Sequence, residues 1–502
     1  MKKLCLTTLL LVLWCAFAPN AFVTPQTRTA LISHAGAVSL ATSQPNAVLQ
    51  NPIAGQVIQG PSLTVSTNTA ENISCKNFEG VHCVDAANTA RWAGGNFSAW
   101  FQSAVNDACN GVLRGKVVIG VQGTVSISSQ VRIPSFCDIG GMGAGKTTLK
   151  TAAGSAAGFY PLASTSTSYV LLHDVTIDGN KANQSNTGQG GIKFTSVSNS
   201  VISHVEVMNS MGLGASGIQW PSGSDNLIES CDTHDNGSSG TNNSDGIAVG
   251  GTRIRVTGNR SRNNTDSGVG LQGNSTADIQ IVANKLSGNT LTGIASGANG
   301  SPQGDNSRVL ISGNKITSNG ANIFLQRMNS VVVRGNLLDT TTGTGNKDGL
   351  ALISVQSASI TGNQISHSLG NGILIIDTSA GDSTKNITIS SNVITANNAS
   401  GALLSIVNRG AVLRDVTFSG NTIKANSLSP TNTTDGITVT GSAIAKLIIQ
   451  GNTLADDQGP PTQRYGLAFG GSPTQVRIGG NLVYGNATGS YSSMPTGAHT
   501  EN

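Results

Sequence analysis

Charged residues are scarce in this sequence: they make up 11% of its 502 positions, against roughly a quarter in an average soluble domain. Helices in soluble proteins are usually surfaced with Glu, Lys, Arg and Ala, whereas this chain places Asn, Ser, Thr and Gly at its polar positions. Glycine alone accounts for 63 residues. This composition argues against an ordinary helical architecture and favours strands and turns.

Neither sign of charge is concentrated. The 29 Lys and Arg residues nearly balance the 25 Asp and Glu residues, whereas a nucleic-acid-binding face needs clustered basic residues. Beyond the N-terminal segment, no apolar run approaches the ~18 residues that a membrane helix needs. We therefore expect neither a nucleic-acid partner nor a membrane partner.

The N-terminus has the order of a secretory signal. Lys2 and Lys3 precede the apolar run Leu4 to Trp14, and the small-residue segment Ala16-Phe17-Ala18 follows. We predict a signal peptide over residues 1–18 and a secreted protein, extracellular or periplasmic.

Export places the remaining cysteines in a compartment that permits disulfides. Cys5 and Cys15 are removed with the signal. We predict that two pairs form disulfides and that Cys231 stays a buried free thiol; the pairs are Cys75 with Cys83 and Cys109 with Cys137.

The chain divides by composition. Residues 19–72 form a low-complexity linker, residues 73–115 an N-terminal cap, and residues 487–502 a C-terminal tail. Apolar residues recur at helical spacing only within the cap, which predicts one amphipathic helix over 97–109; they are Phe97, Trp100, Phe101, Ala104, Val105 and Ala108.

An internal repeat dominates residues 116–486. The pattern apolar-x-x-Asn recurs every 22 to 31 residues, about 28 on average, at Asn259, Asn284, Asn314, Asn336, Asn363, Asn392, Asn421, Asn452 and Asn481. Each unit also holds a short strand that begins at a Gly-aliphatic pair, such as Gly217-Ile218 and Gly246-Ile247.

Short strands at fixed spacing, with no helices between them, predict a parallel β-solenoid of roughly 13 coils stacked ~4.8 Å apart. Equivalent residues then lie above one another. Stacked asparagines at a turn can hydrogen-bond from coil to coil and tolerate a left-handed backbone. The same column includes Cys231, which is why we predict that its thiol is buried. The cap helix would cover the open edge of the first coil.

With these features the sequence resembles the pectate-lyase superfamily over residues 75–486. The helix, the strand Val117–Val121 and the segment Ile139-Gly140-Gly141-Met142-Gly143 resemble the opening coil of that superfamily. The resemblance implies an all-β fold, a single-stranded right-handed parallel β-helix with one N-terminal capping helix. It also implies a polysaccharide partner bound in a groove along the parallel sheet.

Residues Gly140 to Thr147 match the phosphate-binding pattern G-x-x-x-x-G-K-[ST]. That motif needs a helix beginning at Lys146. The residues after it are β-branched and then small, so we interpret the match as a glycine turn between coils and expect no nucleotide partner.

The segment Asn243-Ser244-Asp245-Gly246 resembles the Asn-Thr-Asp-Gly element of polygalacturonases, and Asp266 follows 21 residues later. Carboxylates on neighbouring coils would lie roughly 5–9 Å apart, a range that includes the separation of an inverting glycosidase pair. Ser267 stands where that family has a second Asp. The alternative is that Asp245 caps the turn before Gly246, as Asp348 and Asp435 would in later coils.

Two other chemistries stay open. Asp232-Thr233-His234-Asp235 resembles the Asp-Pro-His-(Asp/Glu) element of mannuronan epimerases, with His234 as the base and Asp235 beside it. A calcium-assisted lyase would need aspartates from stacked coils as ligands. No cofactor is certain, and calcium is possible.

Basic residues are the candidate substrate-binding groups: Arg255, Arg260, Arg262 and Lys285. Arg260, Lys285 and Lys315 each follow a ladder asparagine and should stack into a positive column. Like charges at this spacing repel, so they either extend into solvent or track an anionic polymer.

These features predict a secreted carbohydrate-active protein, a polysaccharide hydrolase or lyase acting on a pectin-like or uronate polymer. The alternative is a non-catalytic β-helix for surface binding or adhesion, because no complete catalytic motif is present.

Overall fold

The computed structural model describes residues 47–51, 56–60, 81–84 and 97–501, apart from the segments 110–114, 187, 213, 239–243, 274–275, 297–305, 344–345, 378–382, 407–411, 429–432 and 442. The predicted signal peptide and the Cys75–Cys83 disulfide lie outside the described residues, as does Asn243. Within the predicted linker the structure describes two antiparallel strands, Ala47–Asn51 and Gln56–Gly60.

Three parallel sheets form the body of the protein, and the chain passes through them in turn. Sheet 1 has 16 strands, in stacking order Val81–Val84, Gly115–Ile119, Cys137–Gly140, Leu171–His173, Val201–Ser203, Ser224–Glu229, Thr252–Thr257, Ala277–Val282, Asn306–Ser312, Met328–Arg334, Gln356–Thr361, Ser383–Ser390, Val412–Ser419, Ile444–Gln450, Thr474–Gly479 and His499–Glu501.

Sheets 2 and 3 have 14 strands each. Sheet 2 contains Gly123–Ile127, Thr147–Thr151, Thr176–Asp178, Glu206–Met208, Asp232–His234, Arg260–Arg262, Lys285–Ser287, Lys315–Asn319, Leu337–Thr341, Gln364–Ser366, Val393–Thr395, Thr422–Lys424, Thr453–Ala455 and Leu482–Tyr484. Sheet 3 contains Val131–Arg132, Leu162–Thr165, Ile192–Thr195, Ile218–Trp220, Ile247–Val249, Ser267–Leu271, Thr292–Ser296, Ala321–Gln326, Leu350–Ile353, Ile373–Asp377, Ala402–Ile406, Ile437–Thr440, Tyr465–Phe469 and Gly489–Ser492.

Each coil contributes one strand to each sheet, so equivalent side chains stack along the axis. In sheet 1, Val256 pairs with Ile281 and Ile281 with Ile311, and all three are fully buried. Such aliphatic columns fill the interior. Side chains of similar size at equivalent positions allow every coil to be close-packed at the same width. The predicted β-solenoid is confirmed.

The cap helix, α1, spans Phe97–Ala108 and is the only α-helix among the described residues. Its apolar face is buried and packs on the first strands of the solenoid, as expected. Cys109, directly after α1, forms the predicted disulfide with Cys137 of sheet 1. The helix is therefore fixed covalently to the coil that follows the one on which it packs.

The asparagine ladder is confirmed, and its members from Asn259 to Asn452 are buried. The backbone N–H and the Nδ2 of Asn259 both donate to Oδ1 of Asn284, at 2.9 and 3.0 Å. The pattern repeats to Asn481. Cys231 heads the column, because its N–H donates to Asn259 Oδ1 at 2.9 Å; it is buried and carries a free thiol.

The left-handed conformation falls on a different residue from the one that we expected. It is adopted by the residue before each asparagine, such as Gly258 (φ 66°) and Gly313 (φ 64°). Glycine is common there because a positive φ costs it little. The asparagine itself serves as the hydrogen-bonding group.

A second ladder, not predicted, lies at the turn between sheets 2 and 3. Asn236, Asn264 and Asn289 each donate from Nδ2 to Oδ1 of the next asparagine, at 2.9 Å, and the run ends at Asn319. The residue before each is again left-handed, Asp235 (φ 56°) among them.

Strands of the solenoid sheets also lie outside residues 116–486. The strands Gly489–Ser492 and His499–Glu501 extend sheets 3 and 1 into the predicted tail, and Val81–Val84 adds to sheet 1 ahead of α1. In the phosphate-motif segment, Thr147–Thr151 forms a strand of sheet 2, where a nucleotide site would need a helix.

None of the helices in the described part of the chain is long and apolar enough to cross a bilayer.

Candidate functional site

Asp266 lies directly before a strand of sheet 3, and Asp245 lies two residues before the neighbouring strand. Ile247 pairs with Val269, so Asp245 is level with Ser267, and Asp266 comes one residue earlier on the next coil. The structure thus places the two predicted carboxylates on neighbouring coils, offset by one residue.

Ser267 contacts both carboxylates. Its backbone N–H donates to Oδ1 of Asp245 at 3.2 Å, and its hydroxyl donates to Oδ1 of Asp266 at 2.9 Å. The second oxygen of Asp245 accepts from Nε2 of Gln272 at 3.2 Å. The residue that replaces the second Asp of polygalacturonases is therefore the link between the pair.

The two carboxyl groups have perturbed acidity. Burial, followed by the negative charge of Asp266, raises the pKa of Asp245 to about 7, although hydrogen bonds from Ser267 and Gln272 oppose the shift. Burial also raises the pKa of Asp266. Asp245 is 7% exposed, whereas Asp266 is only half-buried, so burial disfavours the charged form of Asp245 more strongly.

Asp348 and Asp435 show what the same position does elsewhere in the solenoid. Each precedes a glycine of sheet 3 and accepts a backbone N–H from the next coil, Asp348 from Asn371 at 2.7 Å and Asp435 from Tyr465 at 3.3 Å. Asp435 also forms an ion pair with Arg464. The N–H contact is therefore a recurrent structural feature, and the second carboxylate is what distinguishes Asp245.

The outer face of sheet 3 beside the pair is formed by small residues. Gln219, Ala248, Gly270 and Ala295 occupy one column on successive coils. Lys193 lies one coil before Gln219. Within this column Ala248 and Gly270 are buried, whereas Lys193, Gln219 and Ala295 are partly exposed.

Tyr160 supports Lys193 and Gln219 in this column. Its hydroxyl donates to Oε1 of Gln219, and the ammonium of Lys193 lies 5.2 Å from the centre of its ring. Burial raises the pKa of Tyr160, so the phenol stays protonated and acts as a donor. Sequence analysis did not select these three residues, because their column is recognisable only once the coil register is known.

His234 and Asp235 lie on sheet 2 and in the turn after it, away from the Asp245 pair. Nδ1 of His234 is 2.6 Å from Asp235 Oδ2, and Nε2 is 3.3 Å from Oε1 of Glu206 on the preceding coil. Asp235 is also the left-handed residue before Asn236, which gives it a structural role in the turn.

Asp235 is surrounded by donors. Burial raises its pKa, but the hydrogen bond from His234, together with Asn263 and Arg262, has the larger combined effect, and the pKa lies below its usual value. Asp235 is thus an anion that orients His234 rather than a proton donor.

Three of the four predicted basic residues lie together on sheet 2. Arg260 pairs in register with Lys285, and Lys285 with Lys315, so the predicted positive column is present. Arg262 is 3.3 Å from Asp232. Arg255 is the exception: it lies on the exposed face of sheet 1, where its Nε donates to Gln280 at 3.3 Å, because the ladder turn separates the two sheets.

Comparison with known proteins agrees with this architecture. The family model described as a right-handed β-helix region matches residues 163–303 and 296–423. No curated protein matches the sequence.

Among solved structures, the catalytic unit of a thermostable GH87 α-1,3-glucanase from Streptomyces thermodiastaticus is 17% identical, with a TM-score of 0.51 over 84% of this chain and 71% of that one. The pre-mature gene product 12 of bacteriophage phi29 is 14% identical, with a TM-score of 0.53 over 76% of this chain and 54% of that one. At these identities the likeness shows the fold alone. The chain has three parallel sheets, each built from the strands of successive coils, and the family model matches more than half of its length. The chain therefore belongs to the family of right-handed parallel β-helix proteins.

Proposed function

We propose that this protein is a secreted carbohydrate-active enzyme that hydrolyses a polysaccharide, with Asp245 and Asp266 as its catalytic carboxyl groups. The polymer lies along the outer face of sheet 3. Export follows from the signal pattern in residues 1–18.

The arrangement of the carboxyl pair carries the proposal. Glycoside hydrolysis needs one protonated carboxyl as general acid and one carboxylate as base or nucleophile. Asp245, with a pKa of about 7, holds a proton near neutral pH and is assigned as the acid. Asp266 is the more accessible group and is assigned as the base or nucleophile.

An acidic polymer fits the charges near the pair. Lys193, on the outer face of sheet 3, has no carboxylate partner among the residues that the structure describes. Arg260, Lys285 and Lys315 form a second positive row on the adjoining sheet. A uronate chain would be attracted by both, and the glucanase that shares this fold is an enzyme that acts on a polysaccharide.

A non-catalytic, surface-binding or adhesion protein is the second candidate. It is favoured by the recurrence of the pre-glycine aspartate at Asp348 and Asp435, where the carboxylate serves the turn. In that case Asp245 would be a third turn residue.

Digestion of pectin, polygalacturonate, alginate and neutral glycans separates these functions. We expect new reducing ends without absorbance from unsaturated products. Absorbance at the unsaturated uronate band would instead identify a lyase, and binding without any product would favour the adhesion protein.

A further inference from the structure

The outer face of sheet 2 holds three metal-ligating side chains from two successive coils, Glu206, Asp232 and His234. One donor atom from each lies within 4.8 Å of the other two. Glu206 and Asp232 are direct neighbours in the strand register. Carboxylates stacked in this way repel each other. Arg262 and Arg260 lie 3.3 and 3.8 Å from Oδ2 of Asp232 and offset part of this repulsion.

Each donor residue is held by a partner outside the cluster. Thr176 Oγ1 donates to Glu206 Oε2 at 2.8 Å, Arg262 Nη2 donates to Asp232 Oδ2 at 3.3 Å, and Asp235 fixes Nδ1 of His234 at 2.6 Å. In metal sites, outer groups of this kind orient the ligands and set the tautomer of the histidine.

Asp232 has an oxygen that its neighbours leave unsatisfied. Its Oδ1 is buried and has no hydrogen-bond partner, although buried carboxylate oxygens normally have one. A cation bound to Asp232 would satisfy this atom. Glu206 and Asp232 also line an open groove of about 380 Å³, so two of the three donor residues are reached from solvent.

We propose that Glu206, Asp232 and His234 bind a divalent transition-metal ion such as Zn²⁺. One imidazole nitrogen and two carboxylates suit Zn²⁺ and related ions, whereas Ca²⁺ prefers ligands that are all oxygen. Three protein ligands leave one position for water or for an oxygen of a ligand in the groove. This site is independent of Asp245 and Asp266.

His173 provides a matched comparison within the same chain. It also lies between two carboxylates, with Nε2 3.0 Å from Asp138 and Nδ1 2.7 Å from Asp174, yet these side chains do not form a three-donor cluster in the described structure. An ion pair alone therefore accounts for His173, whereas His234 has a third donor beside it.

The test is calorimetric titration of chelator-treated, tag-free protein with Zn²⁺ and, separately, with Ca²⁺. We expect one Zn²⁺ per chain and no saturable binding of Ca²⁺ at the same concentrations. Glu206→Gln, Asp232→Asn and His234→Gln should each weaken Zn²⁺ binding at least tenfold, and Asp235→Asn should weaken it about tenfold, while His173→Gln should bind as wild type does.

Absence of stoichiometric Zn²⁺ binding to the wild-type protein would overturn the proposal without reference to any variant. Equal Zn²⁺ affinity in wild type and in a folded His234→Gln protein, with circular dichroism as the check on folding, would also overturn it. Preferential binding of Ca²⁺ would reject the assigned class of metal.

Discussion

Gly270 makes room for the carboxylate of Asp245. A Cβ placed on Gly270 would lie 2.4 Å from Oδ2 of Asp245, although Ala248 and Ala295, its neighbours in the same column, both carry one. The carboxylate of Asp245, and not the packing of the sheet, therefore explains why residue 270 is a glycine.

Gly270→Ala should accordingly disturb Asp245 specifically. We expect a loss of about 1–3 kcal/mol in the free energy of unfolding, because a methyl group is inserted into a filled space. In an Asp245→Ala background the same substitution should cost much less. Urea unfolding of the four proteins measures this coupling, and additive effects would show that Gly270 does not accommodate Asp245.

The pH dependence of stability should report the raised pKa of Asp245. The folded protein holds this proton more tightly than the unfolded chain, whose carboxyl has the ordinary pKa of 3.8, so the stability that it contributes is lost as pH rises from about 4 to about 7. Asp245→Asn does not titrate, and its stability relative to wild type should increase across that window.

Asp225→Asn is the control for this measurement. The hydrogen bond from Arg253 lowers the pKa of Asp225 to about 2, so Asp225 stays ionised throughout the window and its variant should differ from wild type by a constant amount. Urea unfolding at pH 4.5, 6 and 8 measures both variants. If the difference in unfolding free energy between Asp245→Asn and wild type is also constant with pH, the raised pKa of Asp245 is wrong.

His173 is a base, whereas Asp245 is an acid, but its raised pKa should likewise make the protein less stable as pH rises. Its hydrogen bond with Asp138, opposed by burial and assisted by Asp174, raises its pKa above 6.5. This contribution is complete below pH 6.5 and is lost as pH rises through the folded pKa. His173→Gln should therefore be less stable than wild type at pH 6, and the difference should shrink by pH 9.

Thermal unfolding of His173→Gln and of wild type between pH 6 and pH 9 measures this difference. A pH-independent difference for His173→Gln would contradict the charged assignment.

The buried ladder should be essential to stability. Asn392→Leu removes the amide that donates to Asn421 and to the carbonyl of Ile360, at 3.0 and 2.9 Å. It also leaves the N–H of Asn363 without its acceptor. We expect a loss of roughly 1–3 kcal/mol, and the same for Asn336→Leu.

Gln364→Leu, at an exposed position beside ladder residue Asn363, should change stability by less than about 0.5 kcal/mol. Urea unfolding measures both effects. Ladder variants as stable as Gln364→Leu would show that the asparagines have no structural role.

The solenoid could be predicted from the sequence because the residues that define it recur at a regular spacing. A column such as Asn259, Asn284 and Asn314 repeats in every coil, so it reveals the coil length and the stacking together. The second ladder was missed because Thr341 and Ser368 interrupt it between Asn319 and Asn397, and a broken column of common residues does not stand out.

Contacts across coils were harder to predict than columns. The sequence indicated that Asp245 and Asp266 lie on adjacent coils, because the register of Gly246 and Gly268 is visible in it. Glu206 was not selected, since its proximity to His234 depends on a coil of 26 residues, shorter than the mean repeat. Arg255 was grouped with Arg260 and Arg262 because the sequence does not show that the turn at Gly258 places them on different sheets.

Activity of three aspartate variants tests the central claim most directly. Asp245→Asn and Asp266→Asn keep the shape of each side chain and remove its ionisation, so each should lower the rate of polysaccharide hydrolysis by a factor on the order of 10² to 10⁴. Asp348→Asn, at the matching turn far along the solenoid, should keep a rate close to wild type while its melting temperature falls. Full hydrolytic activity in Asp245→Asn and Asp266→Asn, with only their melting temperatures lowered, would contradict the account and assign all three aspartates to turns.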